Sequence, residues 1–194
     1  MYATQDLMAE HQGILRMLSI LEEVAARLEA GQSVPAQRLD AMVEFLQVFV
    51  DRCHHGKEED VLFPAMEAAG IQRQGGPIGA MLMEHTAGRA HVRALVDSAA
   101  GAARGERAAR DTFAEQARAY AALLRSHIDK EDHVLYPLAE RILPAERQEA
   151  LAEEYERIER DVIGPGRHEA FHHLLDELEA QYLGKGATGA PRSD

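Results

Sequence analysis

Apolar residues recur at spacings of three, four and seven along most of the chain, which is the pattern of amphipathic α-helices. Over about residues 6–30 this stripe consists of Leu7, Ile14, Leu18, Leu21 and Leu28. The same pattern predicts three more long helices at about residues 36–69, 78–104 and 107–143, then a charged helix at 145–162 and a short one at 168–183. The expected fold class is therefore all-α.

Glycine and proline separate these segments. Gly31, Gly70 and Gly105 follow the first three helices, and Pro144 follows the fourth. Pro64 lies inside the second helix and predicts a bend there. The expected organisation is a four-helix bundle over residues 1–143, a helical extension packed on the bundle over 144–183, and a disordered tail over 184–194.

The second half of the bundle repeats the first. His-His-Gly-Lys-Glu-Glu-Asp-Val-Leu-Phe-Pro at residues 54–64 is similar to His-Ile-Asp-Lys-Glu-Asp-His-Val-Leu-Tyr-Pro at residues 127–137, with a constant offset of 73. Glu10 and His11 match Glu84 and His85 at an offset of 74. Two similar helical hairpins that face each other predict an up-down four-helix bundle.

Composition narrows the function classes. The sequence is 46% hydrophobic but only 5% aromatic, which favours helices, and it carries a net charge of −12 with 21 scattered basic residues, which argues against nucleic-acid binding. Cys53 is the single cysteine, so an internal disulfide is excluded. The first residues lack the basic and apolar regions of a signal peptide, and no run of 18 apolar residues occurs, so we expect a cytoplasmic protein without a membrane span.

Two histidine–glutamate pairs lie on the apolar stripes. His54 and Glu58 are four residues apart on the second helix, as are His127 and Glu131 on the fourth, so each pair shares one helical face. His11 and, through the repeat, His85 occupy the apolar faces of the first and third helices. These six residues are therefore expected to point into the core.

Buried charge of this kind needs a cation. An unpaired carboxylate in an apolar core costs several kcal/mol. Imidazole and carboxylate donors suit iron, manganese or zinc, and two glutamates can bridge two metals. The alternative interpretation, two exposed pairs on solvated helix faces, is disfavoured because the pairs occupy matching places in a repeat.

The same residues resemble the hemerythrin-like HHE cation-binding family over about residues 6–143. The resemblance is carried by His11, His54-x-x-x-Glu58 with Leu62-Phe63-Pro64, His85, and His127-x-x-x-Glu131 with Leu135-Tyr136-Pro137. It implies an up-down bundle holding two iron ions, oxo- or hydroxo-bridged, with iron favoured over manganese or zinc. Glu58 and Glu131 would bridge the irons, the four histidines would complete them, and the ligand would be dioxygen, nitric oxide or peroxide.

Oxygen-carrying hemerythrins are less similar. Their third helix has two histidines four apart, whereas Met81 stands four residues before His85, and their fourth helix pairs histidine with an aspartate five residues on, whereas Glu131 is four residues after His127. The pattern is closer to bacterial proteins of iron-centre repair and nitric-oxide stress. A missing imidazole leaves room for water, substrate or an unexpected donor.

The remaining candidates receive supporting or structural roles. His55 and Glu59 are also four apart, but only His54 and Glu58 match the second hairpin, so we expect His55 at the surface or behind the ligands. His91 is expected to flank the site and Cys53 to be an inert buried thiol. Tyr120 is expected either near the site or in the core, and the surface is expected for His133, His168, His172 and His173, with the C-terminal helix able to bring one of the last three towards the metals.

Three functions stay open from the residues. The first is a module that binds or senses dioxygen or nitric oxide, in oxidative or nitrosative stress or iron homeostasis, with a signalling partner. The second is an oxidoreductase that reduces peroxide or nitric oxide with electrons from a donor protein. The third is iron storage or a structural metal bundle.

Overall fold

The structure is a computed structural model that describes residues 3–164 and 166–184. Six helices occur in these ranges: α1 (Ala3–Glu29), α2 (36–68), α3 (Pro77–Ala103), α4 (107–142), α5 (145–163) and α6 (Arg167–Tyr182). No strand is found in the same part of the chain, so the all-α prediction is confirmed. The predicted tail, apart from Gly184, lies outside the described residues.

Glycine ends the first helix of each hairpin. Gly31 and Gly105 have φ values of 77° and 87°, a left-handed conformation that favours glycine because it has no Cβ. The amides of the next residues, Gln32 and Glu106, bond to carbonyls five residues back, at 2.9 and 3.0 Å. This closure caps the free carbonyls of α1 and α3 and turns the chain towards α2 and α4.

The four long helices form the predicted bundle, in which α4 packs against both α1 and α3, and α2 packs against α3. Its interior contains two apolar clusters at different heights. One includes Leu18, Leu21 and Phe113, and the other includes Leu7 and Met66. Between them lies a layer of buried polar side chains from all four helices: His11, His54, Glu58, His85, His127 and Glu131.

The helices that carry the glutamates widen at this layer. Hydrogen bonds there reach five residues back, as in a π-helix, over Leu46–His54 and Glu58–Leu62 in α2 and over Glu131–Leu135 in α4. Pro64 and Pro137 follow the last two segments. Proline has no N–H to donate and its ring crowds the preceding turn, which a wider turn accommodates. The widened turn lies next to Pro64, where the sequence predicts a bend, and the repeat has the same turn next to Pro137.

Helices α5 and α6 cover one side of the bundle, along α1 and α2. Phe171 of α6 packs on Phe45 and Phe49 of α2, with ring centroids 5.4 and 5.9 Å apart. Leu151 and Tyr155 of α5 join the apolar cluster around Leu7. The bundle core therefore continues into the C-terminal helices.

We predict that Phe171→Ala lowers the free energy of unfolding by about 3 kcal/mol, because it leaves a cavity between α6 and α2. Urea unfolding followed by circular dichroism measures the change. Val96→Ala, at a residue that is 40% exposed, is the matched control and is expected to change stability by no more than about 0.5 kcal/mol. Unchanged stability in Phe171→Ala would show that α6 unfolds independently of the bundle.

Candidate metal centre

Four imidazoles meet in two pairs inside the polar layer. The Nε2 atoms of His11 and His54 lie 3.0 Å apart, and those of His85 and His127 also lie 3.0 Å apart. All four rings are at most 1% exposed. Each pair joins the first and second helix of one hairpin, so the two pairs are related by the sequence repeat.

Two carboxylates lie between the pairs. Glu131 Oε2 is 3.3 Å from His11 Nε2, and Glu131 Oε1 is 3.0 Å from His127 Nε2. Glu58 Oε2 is 3.4 Å from His85 Nε2 and 4.0 Å from His54 Nε2. Each glutamate therefore contacts one histidine of its own hairpin and one of the other hairpin, which is the arrangement of a bridging carboxylate. Both are fully buried.

A second carboxylate holds the far side of each imidazole. The Nδ1–H of His11 donates to Asp132 at 2.7 Å, and that of His85 donates to Glu59 at 2.7 Å. The Nδ1–H groups of His54 and His127 donate to Glu10 and Glu84, at 2.8 and 2.9 Å. These bonds fix the orientation and tautomer of all four rings and raise their basicity as ligands.

Cations support these outer carboxylates in turn. Lys57 donates to Glu10 at 2.5 Å, and Lys130 makes the equivalent bond to Glu84 in the second hairpin. Arg89 donates to Glu59 at 2.7 Å. A hydrogen-bonded series of lysine, glutamate and histidine thus occurs once in each half of the site.

The geometry of the nitrogen atoms fits a cation. When all four rings are neutral and donate from Nδ1, their Nε2 lone pairs face each other across 3.0 Å in each pair, and a proton or a metal ion relieves this contact. With the rings neutral, both oxygens of Glu131 and Oε2 of Glu58 are also buried without a hydrogen-bond donor. Lone pairs and orphaned carboxylate oxygens that converge in this way fit metal ions, and nitrogen and oxygen donors suit a transition metal.

The net charge of the cluster also favours binding of a cation. Six carboxylates contact the four imidazoles and three cationic side chains bind those carboxylates, which leaves three negative charges in excess. Burial by itself would lower the pKa of His11, but hydrogen bonds to Asp132 and Glu131 raise it to about 9. Glu58 and Glu59 likewise overcome burial and raise the pKa of His85 to about 9. The site therefore attracts positive charge.

Tyr136 adds a hydroxyl to one half of the site only. It donates to Glu58 Oε1 at 2.7 Å, lies 3.3 Å from His11 Nε2, and its ring stacks on His11. Its counterpart in the repeat is Phe63, whose ring stacks on His85 at 6.0 Å without a hydroxyl. Tyr136 was predicted only as part of a motif, although its pairing with phenylalanine in the repeat signals an extra polar group.

Of the two places expected for His55, the surface is ruled out and the position behind the ligands is not. His55 is only 3% exposed, it stacks on His85 with ring centroids 3.9 Å apart, and neither ring nitrogen has a hydrogen-bond partner. Its ligand atom groups with those of Glu58, His85 and His127, all within 4.8 Å of one another. The widened turns of α2 explain this burial, because they let two consecutive residues face the core.

Other candidates lie outside the cluster. His91 bonds to Gln116 at 2.8 Å, and His133 is exposed, as predicted. Burial raises the pKa of the Cys53 thiol to about 12, which agrees with an inert buried thiol. Tyr120 is buried and lines a cavity of about 130 Å³ together with His55.

The histidines of α6 form a separate group. His168 and His172 line a cavity of about 300 Å³ against α1, α2 and α5, and His173 is exposed. His168 Nε2 lies 3.3 Å from Glu159 Oε1. None of the three is in the two residue groups that contain the six predicted ligands. The sequence expectation of a surface helix holds for His172 and His173, whereas His168 is half-buried.

The repeat contains a signal for the outer carboxylates, which were not among the predicted site residues. Glu10 and Glu84 immediately precede His11 and His85. Glu59 and Asp132 immediately follow Glu58 and Glu131. Acidic residues at four equivalent places next to predicted ligands are the pattern of a carboxylate–histidine–metal arrangement.

Comparison with known proteins adds a family. A model described as the hemerythrin HHE cation-binding domain matches residues 2–139, which extend from the start of the chain into the end of α4. Uncharacterized proteins of Mycobacterium bovis and of Mycobacterium tuberculosis are each 30% identical over 176 residues, covering 91% of this chain and 67% of the relative. No solved structure matches. Over the two described ranges, no helix combines the length and apolar character that a bilayer crossing requires.

We predict that Glu10→Gln weakens metal binding by about 10- to 100-fold, because the amide no longer holds the Nδ1–H of His54 with a full negative charge. Titration of the metal-depleted protein with ferrous iron, followed by calorimetry, measures this affinity. Glu29→Gln is the matched control, since Glu29 is exposed and pairs with Arg118. Equal affinities in the two variants would contradict a supporting role for Glu10.

Proposed function

The chain belongs to the hemerythrin HHE cation-binding domain family, and from that premise we propose that it is a non-haem di-iron protein that binds or senses dioxygen or nitric oxide. The observation that best supports two metals is the pairing of imidazoles across two bridging glutamates. His11 and His54 would hold one iron, and His85 and His127 the other. The role we propose is in oxidative or nitrosative stress or iron homeostasis, in the cytoplasm.

We favour iron over zinc because of the resemblance to the hemerythrin-like family, since the donor set by itself suits either metal. Two imidazoles and two shared carboxylates would give each metal four protein donors. A six-coordinate metal would therefore have positions left for other ligands. Iron bound there supplies redox chemistry and a place for a diatomic molecule. The two apolar clusters above and below the layer exclude bulk water from it.

The approach to the centre suits a small molecule. A cavity of about 130 Å³ between α2, α3 and α4 is lined by His55, Asp51, Arg89 and Tyr120, among others. A water-sized molecule occupies about 30 Å³, so dioxygen, nitric oxide or peroxide fits. This cavity ends at a ring that belongs to the buried cluster, so it supports a route from the surface to the metals.

Tyr136 favours an oxidoreductase as the second candidate. Its hydroxyl, 2.7 Å from Glu58 and 3.3 Å from His11, is placed to give a proton to a ligand held beside it. Reduction of peroxide to water consumes two protons and two electrons, and a donor protein would have to supply the electrons. The outer carboxylates keep the four rings in place in either function.

We predict that aerobically purified protein contains about two irons per chain and that Glu58→Ala or Glu131→Ala removes at least one, because each glutamate would be a ligand of both metals. Metal quantitation by mass spectrometry, with an absorption spectrum for a bridged ferric pair, measures this. Glu29→Ala serves as the control and should keep both irons. Full retention in the two bridging variants would contradict the site assignment, and many irons per chain would indicate storage.

We predict that Tyr136→Phe separates the two candidate functions. If the protein is an oxidoreductase, loss of the proton donor slows peroxide reduction by about 100-fold, with iron content unchanged. If it is a binding module, a stable spectroscopic adduct with nitric oxide forms without turnover in both forms. Tyr120→Phe is the control, and stopped-flow absorption with a chemical reductant measures both reactions.

A further inference from the structure

A second cluster of metal-binding side chains lies outside the central polar layer. It lines the cavity of about 300 Å³ between α1, α2, α5 and α6, and it consists of Glu10, Glu159 and His168. One ligand atom from each lies within 4.8 Å of the other two, and His168 Nε2 is 3.3 Å from Glu159 Oε1. Two carboxylates and an imidazole that converge on one cavity are a donor set for a divalent transition metal.

The charge of the cavity favours a cation. One lysine and four carboxylates line it, which leaves an excess of three negative charges when its histidines are neutral. The acids are Asp6, Glu10, Glu156 and Glu159. Lys57 Nζ lies 2.5 Å from Glu10 Oε1 and 3.9 Å from Glu159 Oε1. A positive group therefore already lies beside both donor carboxylates, but one lysine does not balance the charge of the two.

The hydroxyl of Tyr155 is an independent sign of a bound molecule. Tyr155 lines the cavity, it is only 2% exposed, and its hydroxyl has no hydrogen-bond partner among the described residues. A buried hydroxyl of this kind indicates that a water or a ligand binds there. A water molecule occupies about 30 Å³, so the cavity accommodates a metal ion together with several of its waters.

The C-terminal helices contribute two of the three donors. Glu159 belongs to α5 and His168 to α6, and both lie beyond residues 2–139 of the family match. In the other hairpin, Glu84 binds Lys130 as Glu10 binds Lys57, but the Lys130 side chain is 40% exposed. The donor set therefore depends on the extension and not on the repeated bundle alone.

We propose that this cavity is a third metal site, separate from the proposed di-iron centre, which binds one divalent transition-metal ion through Glu10, Glu159 and His168. Waters fill the remaining positions of the ion, and the Tyr155 hydroxyl binds one of them. Glu10 also links the site to the centre, because its other oxygen, Oε2, accepts the Nδ1–H of His54 at 2.8 Å.

The geometry requires only a small adjustment. Donors bound to one metal at about 2.1 Å lie at most about 4.2 Å apart, so a shift of about half an ångström brings all three into range. The side chains of Glu159 and His168 are 34% and 37% exposed, which leaves them room for this shift. Each carboxylate oxygen has two lone pairs, so Glu10 can bind the ion while it accepts hydrogen bonds from Lys57 and His54.

Manganous ion is the probe, added to protein whose centre has first been filled with iron. Electron paramagnetic resonance distinguishes bound from free manganese, and we expect one bound manganese per chain with the iron retained. Glu159→Gln and His168→Gln are each expected to weaken this binding by about 100-fold, since even residues behind metal ligands have effects of that order. The pulsed spectrum should contain a coupling to one imidazole nitrogen, and His168→Gln should remove it.

Two control variants separate loss of a donor from loss of charge. Glu156→Gln removes a charge from the same cavity without removing a proposed donor, and it should weaken binding by no more than about fivefold, the effect of an exposed charge. His173→Gln changes an exposed histidine of α6 and should leave the affinity and the nitrogen coupling unchanged. Circular dichroism should be the same in all four variants.

The outcomes separate this site from the di-iron function. Absence of bound manganese in the iron-loaded protein, equal weakening by Glu156→Gln and Glu159→Gln, or a spectrum without the nitrogen coupling would each overturn the third site and leave the di-iron function in place. A protein that takes up no iron would overturn the di-iron function alone. The metal-free protein then tests the third site, because Glu159→Gln and His168→Gln should each lower the bound manganese by one per chain.

Discussion

Glu58 and Glu131 lie fully buried among four imidazoles whose Nε2 lone pairs point at them and at each other. This convergence of electron pairs is the constraint on which the rest of the structure depends. Positive charge has to balance it, from protons or from metal ions, and the carboxylates accordingly raise the pKa values of His11 and His85 to about 9. The centre of the bundle therefore has an excess of negative charge that attracts cations, and it lies between two apolar clusters that hold the helices in register.

Two successive layers of hydrogen bonds surround that centre. Each imidazole donates to an outer carboxylate, and two of these carboxylates accept from lysines. The two lysines differ in how far the protein shields them from solvent. The Lys57 side chain is only 4% exposed, because α5 places Tyr155 and Glu159 next to it, whereas the Lys130 side chain is 40% exposed. The C-terminal helices therefore shield the first half of the site more than the second, and they lie beyond the residues that the family match covers.

Much of the fold was predictable from local rules. Spacing of apolar residues predicted all six helices to within a few residues, although α1 begins at Ala3, before the predicted residue 6. Gly31 and Gly105 marked helix ends because left-handed backbone favours glycine. The six central site residues followed from two signals together, the apolar stripe and the repeat, and the structure brings them into one layer. The bend at Pro64 stays a prediction, whereas the widened turn next to it was not predicted, since periodicity assumes a uniform helix and contains no information on a change from four-residue to five-residue hydrogen bonding.

By itself, the sequence determined the helical class, the two hairpins and the register that pairs His54 with His127, because a repeat compares residues in the same environment. Only the tertiary structure decided where His55 lies and what Tyr136 touches. His55 was expected outside the ligand layer because an ideal helix turns each residue by a constant angle, but the widened turns of α2 bring it against His85. Tyr136 of α4 contacts Glu58 of α2 and His11 of α1. Contacts of that kind depend on how helices pack around a common layer, which no periodicity along one helix contains.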